Sequence, residues 1–224
     1  MNYLRNNLDD VWVLLLEHLQ MTGIALTISL LVAVPIGILI SRYRWLSVPV
    51  MGTLGILYTV PSLAMIVLMI PIFGLNATSV IVALIIYAQV ILVRNVLSGL
   101  RSINPAIIEA AYGMGMNAWQ CWWQVQVPLA LPIVLAGVRI AAVVAIGIAA
   151  IGAKFNAGGL GTLLFNGIAL GREDQIIAGS LVLAIFALLV NSALRTLEWL
   201  VDPQTHIKRE EQRQRRLSVS QPTR

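Results

Sequence analysis

Long apolar runs alternate with short polar breaks along the whole chain. A helix of about 20 apolar residues crosses a hydrocarbon core of ~30 Å. Five stretches meet that length, at 19–41, 48–72, 76–98, 129–153 and 176–201. Backbone N–H and C=O groups must be satisfied inside lipid, so each run is predicted to be a helix. The expected fold is an all-α integral membrane protein of five transmembrane helices. An N-terminal segment, 1–18, precedes them. A tail, 202–224, follows; it is rich in Gln, Arg and Ser, has no apolar period, and reads as a disordered, solvated end near anionic lipid.

The long polar interruption lies at about 100–128. Asn104 suits an N-cap and Pro105 the first helical position, which predicts a short helix carrying Glu109, Ala110 and Ala111. Gly113 and Gly115 break that helix, and Gly115 permits a sharp turn. Asn117 followed by Gln120 resembles a capping box and opens a second short helix toward Val127, with Pro128 stopping it before the fourth span. The alanines give a narrow face that can sit close to a partner. Trp119, Trp122 and Trp123 fall on one side of the second helix. An interfacial aromatic belt is the favoured reading for them, and contact with a soluble partner is the alternative.

Composition agrees with the pattern. Of 224 residues, 58% are hydrophobic and 11% charged, against about 25% charged in soluble domains. Cys121 is the single cysteine, which excludes a disulfide framework and a multi-cysteine metal site. The net charge of +5 could point to nucleic acid, but the basic residues sit in breaks between apolar runs. They therefore report orientation instead. One side collects Arg42, Arg44, Arg94, Arg101 and the basic tail; the other has only Arg5, Lys154 and Arg172. The positive-inside rule puts the N-terminus outside and the C-terminus and the 100–128 loop in the cytoplasm. No Walker A, His-Glu-x-x-His or Gly-x-Ser-x-Gly pattern occurs, so no catalytic residue, metal site or bound cofactor is expected in this chain. An ion-coupled transporter or channel is the alternative from another class, and the near absence of acids from the spans argues against proton coupling in it.

The spacing Glu109-Ala110-Ala111, Gly115, then Val125-Gln126-Val127-Pro128 resembles the cytoplasmic coupling loop of permease subunits of type I binding-protein-dependent ABC importers. The likeness runs over roughly 19–201. Val127 stands where the family has Leu, and Cys121, Trp122, Trp123 and Gln126 replace charged residues of many members. The resemblance implies partners: a cytoplasmic ABC ATPase dimer that binds ATP and magnesium, a second permease copy or a related permease, an extracytoplasmic solute-binding protein, and membrane lipid, with no nucleic acid. Glu109, Ala110, Ala111, Gly115, Val127 and Pro128 would engage the ATPase. Tyr58-Thr59-Val60-Pro61-Ser62, Ile70-Pro71, Gly74, Gly113-Met114-Gly115-Met116 and the loop Ala157 to Gly161 look like permeases for quaternary-amine solutes such as glycine betaine, choline, carnitine and proline betaine. A permease for methionine or another amino acid is the alternative.

Tyr58, Thr59, Pro61 and Ser62 are the candidates for the translocation pathway. A proline in a span kinks it, and either a packing kink or a pathway-lining break fits. Tyr58, Tyr87 and Phe155 could turn ring faces to a quaternary ammonium, with core packing as the plainer reading. Arg139 has no acid near it in sequence; it lies about 16 Å of helix from Pro128, and snorkelling to the interface is favoured. His18 and His206 are read as isolated residues flanking the membrane. Asn76-Ala77-Thr78 is a chance sequon, and Gly167 with Gly171 suggests either close packing or a turn.

Overall fold

The computed structural model describes residues 7–201. The tail from 202 onward, His206 included, lies outside them, as do residues 1–6. Nine α-helices follow one another among the described residues: α1 (Leu8–Arg42), α2 (Arg44–Thr59), α3 (Ser62–Phe73), α4 (Ala77–Arg101), α5 (Pro105–Gly113), α6 (Ala118–Cys121), α7 (Val127–Gly152), α8 (Gly161–Ala169) and α9 (Glu173–Val201). A π-helical turn, Trp122–Gln126, joins α6 to α7, and a 3-10 turn, Ala153–Phe155, ends α7.

Among the described residues four helical stretches are long and apolar enough to span a membrane: α1, α4, the run Ala118–Phe155, and α9. The second expected span is not one helix. It is the pair α2 and α3, bent by 95°. At 16 and 12 residues, the two reach only about 24 and 18 Å, so neither crosses the core alone. The first helix begins at Leu8, well before residue 19. Asp9 and Asp10 in its first turn lower the local hydropathy but complement the helix N-terminus, so the helix extends past the apolar run.

The core forms around α4, 61% of whose apolar window is buried, against 17% for α9. α1 lies along one side of α4 and α7 along another. α1 and α4 run parallel. Arg101 donates to the Ile40 carbonyl (3.1 Å) near their C-terminal ends, and Gln89 donates to the Ser29 carbonyl (3.2 Å) nearer the middle. Met21 shares a buried cluster with Val80, Ala83 and Leu84 toward their N-terminal ends. Small residues allow these approaches. A Cβ on Gly37 would stand 2.5 Å from Val96, and one on Gly137 2.5 Å from Asn95. α9 packs on α7 and α8.

Contacts distant in sequence close the bundle. His18 is fully buried and packed into the bundle, so it is not the isolated residue expected. Its Nε2 lies 3.2 Å from the Ile146 carbonyl, and its ring meets Phe186 edge-on. The neighbouring Glu17 carboxylate accepts from the Gly159 N–H at 2.9 Å, docking the 156–161 loop on α1. Arg139 does not merely snorkel: it pairs with Glu198 of α9 at 3.1 Å, and Asn191 lies at 3.5 Å. Asn76 is occupied as a helix cap, accepting from the Thr78 N–H at 2.8 Å. Gly167 and Gly171 fill both expected roles: Gly167 packs closely on Ile176, and Gly171 turns the chain at φ +63°.

Candidate functional site

Residues 104–128 form a helical hairpin whose corners are held by local hydrogen bonds. Asn104 Oδ1 accepts from the Ala106 N–H (3.0 Å) and Pro105 occupies the first turn, as the sequence predicts. At the far end of α5, Gly115 adopts φ +85°. Its N–H donates to the Tyr112 carbonyl (2.9 Å), and the Met116 N–H donates to Ala111 (3.2 Å). This bond pair is a Schellman closure, with glycine at the left-handed position. Asn117 and Gln120 then make the reciprocal capping box, both bonds at 2.9 Å.

Beyond Gln120 the chain departs from expectation. Pro128 does not stop a helix; it sits in the first turn of α7. The preceding Val127 N–H reaches back five residues to the Trp122 carbonyl. This π-helical step absorbs the donor that proline lacks without breaking the helix. The three tryptophans are therefore divided. Trp119 and Trp123 stay exposed and meet edge-to-face at 5.5 Å. Trp122 instead borders an apolar recess of about 130 Å³ with Val34, Val96 and Val127.

The candidate coupling residues divide in the same way. Glu109 and Ala110 are exposed, and Glu109 has no hydrogen-bond or ion-pair partner among the described residues. Gly115 is exposed, with nothing within 4 Å of the Cβ it lacks. Ala111 is 1% exposed, so the two alanines do not form one outward face. Val127 and Pro128 are half-buried at the root, where the hairpin joins the bundle. The tip is available to a partner, and the root is continuous with α7.

The second cluster surrounds the break between α2 and α3. Val60 is extended (ψ 128°), as the residue before a proline prefers, and Pro61 (ψ 138°) caps α3. Tyr87 of α4 donates its hydroxyl to the Val60 carbonyl, satisfying an acceptor that the break removes from the helix. Tyr58 packs edge-on against Tyr87, ring centres 5.6 Å apart. Thr59 Oγ1 donates to Ile56 (2.7 Å), and Ser62 begins α3, half-buried. Tyr58, Thr59, Pro61 and Ser62 therefore do lie together at a real break. Phe155 packs on the core cluster that holds Tyr87 instead of joining the two tyrosines in an open site.

Arg94 was expected in a loop but stands within α4, exposed. With Gly55, Tyr58 and Asn95 it lines a recess of about 380 Å³. Sequence reasoning missed Glu198 as the Arg139 partner and Glu17 as a loop anchor, and in neither case does the sequence carry a local signal.

Residues 33–207 match the family described as binding-protein-dependent transport system inner membrane component. The osmoprotectant import permease protein OsmW of Salmonella typhimurium is 36% identical over 90% of this chain and 96% of its own. The glycine betaine/carnitine/choline transport system permease protein OpuCB of Bacillus subtilis is 33% identical, covering 91% and 94%. Among solved structures, an inward-facing form of the MetNI methionine ABC transporter superposes with a TM-score of 0.75 at 26% identity, over 87% of this chain and 95% of that one.

Proposed function

The chain belongs to the binding-protein-dependent transport system inner membrane component family, and from that premise we propose that it is the permease subunit of an ABC importer for quaternary-amine osmoprotectants. The observation that carries the reading is the hairpin: an exposed tip bearing the unpaired Glu109, closed by Gly115 and rooted in α7. The cargo reading is supported by the names of relatives that align over nearly the whole chain. The fold likeness to a methionine transporter favours a second cargo, methionine. The subunit itself is not catalytic.

In this reading the α2–α3 pair makes one crossing, giving five. The parallel α1 and α4 support it, because the segment between them must return the chain along the bundle. With Arg94 removed from the count because it lies inside α4, Arg42, Arg44, Arg101 and the basic tail still outnumber Arg5, Lys154 and Arg172, so the N-terminus lies outside and the hairpin in the cytoplasm. Two permeases, identical or related, enclose the pathway. The hairpin of each docks in a groove of a cytoplasmic ATPase, where Glu109 anchors it, Ala110 allows close approach and Gly115 fixes the turn. ATP and magnesium belong to that ATPase. Its closure pushes the hairpin tip, and the Val127–Pro128 root passes the push into α7, tilting the bundle between inward- and outward-open states. A solute-binding protein docks on the outer face near Lys154–Gln175. Tyr58, Thr59, Pro61 and Ser62 line the pathway at the break.

Uptake of radiolabelled glycine betaine, with unlabelled choline, carnitine and methionine as competitors, tests the cargo. Competition by the quaternary amines and not by methionine is the expected result. Competition by methionine alone moves the chain to the second reading.

A further inference from the structure

Among the described residues of the central helices α4 and α7, three arginines are held differently. Arg139 has Glu198, and Arg101 donates to the Ile40 carbonyl. Arg94 has neither an acid nor a carbonyl. It stands on α4 about 10 Å of helix before Arg101, and an ionisable side chain within a span is costly enough to be a functional candidate by default. The recess it lines is of small-molecule size, about 380 Å³. Val90, Ile91 and Ile140 give it aliphatic lining, and Tyr58 is its one aromatic residue. Tyr58 is 43% exposed overall and is backed by Tyr87, which lies two turns from Arg94 on the same face of α4. Gly55 adds no side chain to the recess, and the Asn95 amide donates to the Ile91 carbonyl (2.8 Å).

A cationic end and an aromatic end in one recess match a zwitterion whose positive group is a quaternary ammonium. Glycine betaine and carnitine have that form. Choline has the ammonium but no carboxylate. We propose that the Tyr58–Arg94 recess is a selectivity station in the pathway, where the guanidinium pairs with the carboxylate of the passing solute and the tyrosine ring takes its trimethylammonium group. The inference rests on the quaternary-amine reading above and adds to it the residue that separates carboxylated from uncarboxylated cargo.

The test uses the whole complex, with ATPase, partner permease and binding protein, in proteoliposomes. Uptake of glycine betaine and of choline is measured for wild type, Arg94→Gln, Arg94→Lys and Asn95→Asp, each first checked for co-purification of the ATPase. The betaine-to-choline uptake ratio is expected to fall about tenfold in Arg94→Gln, as for the loss of one charge-assisted bond. Lysine should restore part of it. Asn95→Asp keeps Arg94 but puts a carboxylate in the recess, and should lower the ratio in the same direction. Tyr58→Leu should lower uptake of both solutes, and Tyr58→Phe should not. A ratio unchanged in Arg94→Gln and Asn95→Asp overturns the inference and leaves Arg94 as a residue that reaches for headgroups. A wild-type complex that imports choline but no carboxylated amine also overturns it while the proposed function stands. If only carboxylated solutes are imported, the lysine rescue decides. If no quaternary amine is imported, the proposed function itself falls, and the inference with it.

Discussion

Gly115 offers a sharp test of the hairpin because its substitution separates backbone shape from side-chain bulk. At φ +85° it closes α5 through the bonds to Tyr112 and Ala111. Open space surrounds its missing Cβ within this chain, so an added methyl clashes with nothing here. The cost of Gly115→Ala is then the left-handed backbone alone, about 1–2 kcal/mol. That lowers the fraction of hairpins held in this shape, and so the apparent affinity for the ATPase, by at most about five- to thirtyfold, the full factor applying where the shape is not already dominant. Asparagine tolerates the left-handed region better than other non-glycine residues, so Gly115→Asn should retain more affinity than Gly115→Ala, although it is larger. Gly115→Val, β-branched, should be worst. Binding of purified ATPase to the permease in nanodiscs gives the order directly. If affinity falls with side-chain volume, so that Asn is worse than Ala, the partner surface and not the turn sets the need for glycine, and the reasoning fails.

Other consequences follow from the packing. Arg139→Leu and Glu198→Leu should each lower thermal stability in detergent by about 2 kcal/mol, and the double variant by at least about 1 kcal/mol less than their sum; strict additivity would dissolve the α7–α9 pair. Tyr87→Phe keeps the ring against Tyr58 but orphans the Val60 carbonyl at the break, for a loss of about 1 kcal/mol; wild-type stability would mean that the hydroxyl does not hold the bend. Gly161→Ala would put a Cβ 1.9 Å from the Ala150 carbonyl, and a fall of about 3 kcal/mol is expected; an unchanged melting temperature would contradict the tight seat of that loop.

The parts legible in the sequence are those that local chemistry specifies. Asn104, Gly115, Asn117 and Gln120 act on neighbours a few residues away, and the three corners they make appear where their residue types place them. Apolar length gave the helices but not their ends: α1 gains its first turns from amphipathic residues that a hydropathy window discards. Pro61 marked a kink without its size, because the 95° bend involves a contact from a different helix, the Tyr87 hydroxyl on the Val60 carbonyl. Pro128 looked like a stop because a π-helical step has no signature that a proline rule can see. Glu198 and Glu17 meet their partners across 59 and 142 residues. No periodicity encodes that separation, so Arg139 looked unpaired.

The central claim is that ATP hydrolysed in a partner drives solute import through the 104–128 hairpin. Its direct test is uptake of radiolabelled glycine betaine into proteoliposomes carrying the complete complex, with Glu109→Arg in this chain compared with wild type. Wild-type uptake is expected to require both ATP and the binding protein. Reversing the charge of the exposed, unpartnered Glu109 should abolish uptake together with ATPase association while the permease still folds. Uptake that proceeds without ATP, or that survives Glu109→Arg with the ATPase still attached, would contradict the account.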